Sequence, residues 1–287
     1  MALTLRPLRP DDIPFGMRLK EQAGWNQTEE DWQSLLAFRP DGCFLALHEG
    51  APAGTVTTID HSGAFGWVGM LLVRHDLRGL GIGRALLRRA IESLAHLPAV
   101  KLDATPLGEG LYRSEGFEAE AVLERRVRAG SHSPRSGRPG GGAAPLRPMV
   151  PDDIARAVDL DAPGFGARRE AILDAWGRSL PGASLVIEDA GGIRGFAMAR
   201  RGSRATHVGP IVAETVEAAI SLLDGVRDSM GGELLILDAM SRDPAWIRHL
   251  DAEGFRGERI LTRMCLGSVP TPPRASILWA SAGPEVG

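Results

Sequence analysis

The chain repeats itself. Leu5-Arg-Pro-Leu-Arg-Pro-Asp-Asp-Ile13 returns as Leu146-Arg-Pro-Met-Val-Pro-Asp-Asp-Ile154, at an offset of 141 residues. Gly54 in the run PAGTVTT has its counterpart in Gly195 of IRGFAMA at the same offset. Val68-Gly69 answers Val208-Gly209 at 140, Glu115-Gly-Phe117 answers Glu253-Gly-Phe255 at 138, and Leu102-Asp-Ala104 answers Leu237-Asp-Ala239 at 135. Matches in one order with a drifting offset are what duplication followed by loop changes leaves behind. A length of 287 residues gives each copy room for its own core. We read residues 1–130 as the first domain and 146–287 as the second. Between them, 131–145 lies in a Gly-, Pro-, Ser- and Arg-rich stretch with few large apolar residues, which has the composition of a linker. Its arginines also admit a basic patch, but a solvated linker is the simpler reading.

Within the first copy the pattern predicts an α/β chain. A strand at 4–8 leads through Pro-Asp-Asp into a helix near 11–23, with a second helix near 29–38. Strands follow at 43–48, 54–60 and 65–73, punctuated by Glu49-Gly50 and Ser62-Gly63. A helix opens at a glycine-rich turn, its apolar residues Leu86, Leu87, Ala90, Ile91 and Leu94 falling on one face. A strand at 100–103, a short helix at 108–114 and a last strand at 119–127 complete the copy.

The glycine-rich turn carries the clearest chemistry. Arg78-Gly-Leu-Gly-Ile-Gly-Arg84 presents unpaired backbone N–H groups and the positive end of a helix, which is a cradle for a phosphate. A nucleoside-triphosphatase loop needs Gly-Lys-Ser/Thr, and here Arg84-Ala85 follows Gly83. A dinucleotide fold needs G-x-G-x-x-G directly after its strand, and here the glycines alternate five residues beyond Val73. A turn that merely caps a helix is the bland alternative. What remains, Arg78-x-x-Gly81-x-Gly83 after Met70-Leu-Leu-Val73, resembles the coenzyme A pyrophosphate loop of the GNAT superfamily of N-acetyltransferases. The element order β-α-α-β-β-β-α-β-α-β is likewise that of the GNAT fold. The resemblance implies tandem GNAT folds, each a mixed splayed sheet flanked by helices.

The resemblance also implies site residues. Acetyl-CoA would be the co-substrate, with no metal. Arg78, Gly79, Leu80, Gly81, Ile82, Gly83 and Arg84 would hold its pyrophosphate, and Leu71, Leu72 and Val73 would pair with the pantetheine arm. Tyr112, the only tyrosine, stands where many members keep a phenol that protonates the departing thiolate; otherwise it packs its helix. Asp60 and His61, at the end of the third strand, are candidate bases or else turn residues. Trp25, Asn26 and Gln27 lie in the segment that lines the acceptor pocket, or anchor two helices in the core. Trp67 is expected to pack the sheet. Asp103, recurring as Asp238, is expected to brace rather than catalyse.

The second copy departs from the pattern at the cofactor. His207-Val-Gly-Pro-Ile-Val212 passes straight into a helix, without the glycine triplet and with Glu214 and Glu217 at its start. No tyrosine answers Tyr112; Ile247 is the approximate counterpart. This copy is expected to be degenerate, either walling the acceptor cleft with 165–169 as candidate contacts or serving only as scaffold, with 276–287 returning as a strand and Trp279 at the domain interface. The net charge of −3 argues against nucleic acid or an anionic membrane as partner. Cys43 and Cys265 lie in apolar runs and suit a reducing interior as buried thiols. The histidines show no ligand spacing. The N-terminus carries no secretory signal and no apolar run approaches a membrane span, which predicts a cytoplasmic protein, with a monomer as the simplest state. A small-molecule amine is the expected acceptor; protein or peptide N-acetylation and a non-enzymatic acyl-CoA sensor are the alternatives.

Overall fold

The protein is described by a computed structural model covering residues 2–130, 146–180, 182–241, 243–269 and 273–287. The expected linker, 131–145, lies outside the described residues. The first half runs β1 (Leu3–Pro7), α1 (Ile13–Gln22), α2 (Glu29–Phe38), β2 (Phe44–His48), β3 (Ala51–Asp60), β4 (Gly66–Val73), α3 (Ile82–Ser93), β5 (Ala99–Ala104), α4 (Pro106–Ser114) and β6 (Glu118–Arg128). The second half repeats that order. It runs β7 (Leu146–Pro148), α5 (Ile154–Phe165), α6 (Glu170–Ser179), β8 (Leu185–Asp189), β9 (Gly192–Arg200), β10 (Thr206–Ala213), α7 (Val216–Ser229), β11 (Leu235–Met240), α8 (Pro244–Ala252) and β12 (Arg256–Gly267). One further strand, β13 (Leu278–Ala280), follows. The expected order holds. The largest boundary difference is β3, which begins at Ala51 and runs through Pro52, because a register shift at Ala46/Leu47 relieves the ladder there.

The repeated opening motif is structural. Arg6 grips Asp12 through two bonds of 2.7 and 2.8 Å, and Arg147 grips Asp153 in the same way. Each aspartate also accepts the N–H three residues before it, from Arg9 or Val150, so the turn from strand to helix is locked twice. The second helix of the first copy is fixed by a reciprocal cap between Thr28 and Asp31.

The chain divides into two compact units whose boundaries are not linear. Met1–Glu120, Arg263–Pro270 and Pro284–Val286 form the first; Ala121–Thr262, Thr271–Gly283 and Gly287 form the second. In the first unit, β1 to β4 are successive antiparallel neighbours, β5 runs parallel to β4, and the end of β12 from Arg263 lies beside β5. In the second, β6 from Leu123 to Arg128 pairs antiparallel with β11. Strand β6 was expected to complete the first copy, yet most of it belongs to the second unit. The repeat explains why. Strands β6 and β12 share one pattern of buried and exposed positions through their first nine residues, so each fits the sheet beside either β5 or β11.

Two ion pairs fasten these strands within their units. Arg263 holds Asp103 at 2.8 and 2.9 Å in the first, and Arg125 holds Asp238 at 2.8 and 2.8 Å in the second. This is the bracing role expected of the recurring aspartates. Removing one partner of such a buried pair costs roughly 3–5 kcal/mol. The first unit's core lies between its sheet and α3 and α4, around Phe44, Val68, Leu86, Leu87, Leu102 and Phe117. Its other face is packed by α1 and α2 through Leu19, Trp32 and Leu35. Cys43 and Cys265 are buried, and burial pushes each thiol up to about 11. No helix of the described residues is long and apolar enough to cross a membrane.

Candidate active site

Strand β4 positions the site. It pairs with β3 as far as Gly69, where the register shifts and Met70 takes φ +46. A buried non-glycine residue in that region marks a bulge that turns backbone groups out of the ladder. On its other edge β4 meets β5 at only two positions, Gly66↔Val100 and Trp67↔Lys101. Beyond Trp67 the two strands part. Leu71, Leu72 and Val73 lie along the parted stretch, which is a template for an added extended chain.

That opening leads along the chain into the glycine loop. Gly79 and Gly81 sit at φ +83 and +80, where side chains are strained, and nothing lies within 4 Å of where a Cβ would stand. Arg78, Gly79, Leu80 and Gly81 are exposed, while Ile82 is buried and pins the start of α3 to the core. The helix closes its first bond from Ala85 N–H to Gly81 O, at 3.0 Å. The N–H groups of Ile82, Gly83 and Arg84 therefore have no intrahelical acceptor, and no acidic residue stands in that turn. The arrangement fits a diphosphate. Arg78 is exposed and carries no ion pair among the described residues, whereas Arg84 is drawn to Ser114 at 3.2 Å and Glu115 at 3.2 Å. Of the two arginines, Arg78 is the one at hand for a phosphate.

Tyr112 lies on α4, beside this loop. Its neighbour Leu111 comes within 3.7 Å of the point a Gly83 side chain would occupy. The ring stands edge-on to Phe117 at 6.0 Å and is nine-tenths buried. Burial pushes the phenol far above its ordinary range, so it keeps its proton at neutral pH.

The other candidates fall at a different place. Asp60 pairs with Gly66, where β4 and β5 are still joined, four residues before the bulge. Its carboxylate accepts from Gly63 N–H at 2.7 Å and meets His96 at 3.1 Å. Burial opposes its charge, but those bonds outweigh it and leave its pKa lowered. Asp60 thus closes the hairpin turn rather than facing the parted strands. His61 is buried against Phe65 at 5.2 Å and Trp67 at 6.3 Å. Trp25 is half-buried, while Asn26 and Gln27 are buried.

Sequence reasoning missed Glu285. It is 1% exposed, and its carboxylate accepts from Gln27 Nε2 at 2.8 Å. Trp67 Nε1 donates to Pro284 O at 2.9 Å. The backbone of Glu285 covers Gly69 so closely that a side chain there would meet Glu285 O at 2.6 Å. Nothing local in the sequence points to this acid; the repeated Val-Gly pair is the one hint. Gly209, the counterpart of Gly69, is covered in the same way by Ser281 O within the second unit.

The second unit has the same opening and a different occupant. Strands β10 and β11 pair at Thr206↔Leu235 and His207↔Ile236 and then part. Strand β13 enters the gap, pairing with β10 at Ile211 and Val212 and with β11 at Ala239. Trp279 sits in this unit's own core rather than at an interface, edge-on to Trp246 at 5.9 Å and donating to Ala213 O at 2.9 Å. The N-terminus of α7 is satisfied by its own chain: Thr215 Oγ1 accepts from Ala218 N–H, and Glu217 stands in the first turn. Helices α4 and α8 begin at Pro106 and Pro244, which sets Leu250, fully buried, opposite Tyr112 in place of Ile247. Arg169, expected as an acceptor contact, is buried and bound bidentately to Asp161, lies over Phe165, and donates to Gly287 O. It is a structural residue of the second unit.

Comparison with known proteins agrees with this architecture. The profile of the acetyltransferase (GNAT) family matches residues 13–117, and that of an acetyltransferase (GNAT) domain matches 157–280. No curated protein sequence matches the chain. Among solved structures, a putative acetyltransferase from Pyrococcus horikoshii is similar over 99% of this chain and 96% of its own, with TM-score 0.82 and 21% identity. A GCN5-related N-acetyltransferase from Sphaerobacter thermophilus covers 96% of this chain and 98% of its own, with TM-score 0.66 and 17% identity. A tandem GNAT protein from the clavulanic acid biosynthesis pathway covers 94% and 100%, with TM-score 0.68 and 16% identity. The chain belongs to the GNAT superfamily and carries two of its domains in tandem. It is an acyltransferase.

Proposed function

We propose that the first unit transfers an acetyl group from acetyl-CoA to the primary amine of a small molecule, with one coenzyme A bound per chain. The observation that carries this reading is the parting of β4 and β5 beyond Trp67, leading into a glycine cradle with open space above it. Coenzyme A supplies an activated thioester; the chain's residues do the rest. Backbone N–H groups of 79–84 and Arg78 bind the diphosphate, and the edge of β4 at Leu71–Val73 orients the amide-bearing arm. Backbone groups turned out at the Met70 bulge polarise the thioester oxygen. Tyr112 holds a proton beside the leaving sulfur. A small acceptor is supported by the cover on this face of β4, where Trp67 and Gly69 lie under Pro284 and Glu285.

The test is release of free thiol from acetyl-CoA with a panel of primary amines. Release with at least one amine, and kcat lower by roughly 100-fold in Tyr112→Phe at unchanged coenzyme A affinity, is the expected result. Silence across the panel overturns the reading, and full turnover in the phenylalanine variant removes Tyr112 from it.

A further inference from the structure

Met70 holds a backbone conformation that its own residue type does not favour. It is buried, it takes φ +46, and it lies where β4 departs from its ladder with β3. Thr55↔Leu72 and Thr57↔Gly69 are paired, so Met70 and Leu71 together face Val56. A non-glycine residue stays in the left-handed region only where its surroundings hold it there. Here the holding contact is visible. Thr55, fully buried on β3, donates its Oγ1–H to Met70 O at 3.0 Å. The carbonyl of the bulged residue is thus partnered by a side chain of the neighbouring strand.

The direction of that bond fixes the next amide. In a trans peptide the C=O and the N–H point to opposite sides, and Met70 O and Leu71 N–H belong to one such peptide. With the oxygen drawn to Thr55, the Leu71 N–H points away from it. Leu71 also lies beyond Trp67, the last position at which β4 meets β5. The second unit shows what that edge can take. Ile211, the counterpart of Leu71 in the repeat, pairs there with Ala280 of β13. The second unit bulges too, at Gly209 and Pro210 between Val208↔Ala199 and Ile211↔Ala197. No hydroxyl pins that bulge from the matching position, because Phe196 pairs with Val212 as Thr55 pairs with Leu72. The pin and the open edge occur together, in the unit that has the glycine cradle.

We propose that Thr55 is a positioning residue for acyl transfer: by holding Met70 O, it aims the Leu71 N–H at the oxygen of a thioester lying along β4. Thr55 touches no substrate itself. When an amine adds to the thioester carbon, the carbonyl π pair moves onto that oxygen, and a donor already aimed there lowers the barrier without reorganising. The proposal rests on the acetyl-CoA reading above for the presence of the thioester.

The experiment compares the full chain with three variants. Thr55→Val keeps the shape and removes the hydroxyl, and Thr55→Ser keeps the hydroxyl. Thr57→Val is the control, since Thr57 lies on the same face of β3 and its hydroxyl is buried without a hydrogen-bond partner among the described residues. Infrared difference spectra of bound, carbonyl-labelled acetyl-CoA report the hydrogen bond to the thioester oxygen, and thiol release with a panel of amines reports transfer. Thr55→Val is expected to move the carbonyl stretch to higher frequency and to lower kcat by roughly 30-fold, with the affinity for free coenzyme A unchanged within about twofold. Thr55→Ser and Thr57→Val are expected to keep the native frequency and most of kcat. Met70→Gly reaches φ +46 without strain, so Thr55→Val in that background remains foldable and carries the same expectations. A merely structural Thr55 predicts a lower unfolding temperature with frequency and kcat unchanged, or coenzyme A affinity and kcat falling together, and either result overturns the proposal. If Thr55→Val moves the stretch but no amine is acetylated by the native chain, the transfer reading falls and the positioning role stands. If amines are acetylated with the native kcat and frequency in Thr55→Val, the positioning role falls and the transfer reading stands. If the native chain does not bind acetyl-CoA, both fall.

Discussion

The two units open their sheets at equivalent places and use the openings in opposite ways. In the first, β4 and β5 part after two paired positions and the gap leads to an exposed glycine cradle. In the second, β10 and β11 part after two paired positions and the chain's own β13 lies in the gap. The parted strands are a property of the shared fold. What they hold depends on the helix that follows. Helix α3 begins with unpaired N–H groups and no acid, while α7 begins with a hydroxyl cap and Glu217. A helix N-terminus already satisfied by its own residues has little left to offer a phosphate.

The largest test of this contrast is removal of the plug. Trp279→Ala deletes a core indole packed on Trp246 and its bond to Ala213 O. It is expected to cost the second unit about 3–5 kcal/mol, seen as an earlier calorimetric unfolding transition. It is also expected to leave coenzyme A stoichiometry at one per chain, since α7 still lacks a cradle. A second equivalent of bound coenzyme A would show that the plug alone distinguishes the two units.

Gly81→Val tests the other side. The position has room for a side chain but sits at φ +80, so the substitution strains the loop and sets a branched group where a phosphate approaches. Coenzyme A affinity is expected to fall by roughly 100-fold, about 2.7 kcal/mol, with a smaller loss of stability. Unchanged affinity by calorimetry would mean that the loop only caps its helix.

The smallest effect concerns acid. Burial lowers His207 to about 3, with Arg200 acting in the same direction. A histidine whose folded pKa lies below its unfolded value of about 6.5 has its full stabilising effect above that pH. The effect is lost as pH falls toward 3, because the unfolded chain binds the proton more readily. His207→Gln is therefore expected to flatten the pH dependence of the second unit's unfolding temperature between about pH 6.5 and 3. An unchanged slope would assign the acid sensitivity to other groups.

Much of this was legible along the chain. The repeat announced two copies of one fold because Arg6–Asp12 and Arg147–Asp153 perform the same local task, and local tasks leave local sequence marks. The glycine loop was legible because its conformation resides in its own backbone, with Gly79 and Gly81 at positive φ. Leu250 as the counterpart of Tyr112 was within reach of the Glu-Gly-Phe alignment, whose offset of 138 also pairs Arg125 with Arg263. Asp60 was ambiguous because a carboxylate at a strand end looks the same whether it faces a site or closes a turn.

What the sequence determined by itself is whatever depends on neighbours in the chain: the order of elements, the caps, the cradle and its absence from the second copy. Only the tertiary structure decided which sheet receives β6 and which receives the end of β12, since both strands carry the same pattern of buried positions. Only it decided that residues 278–286 fill one opening and then bring Glu285 to Gln27, 258 residues away in the chain. Side chains that far apart meet only through packing, and a single carboxylate leaves no periodicity in the sequence to announce where it will be buried.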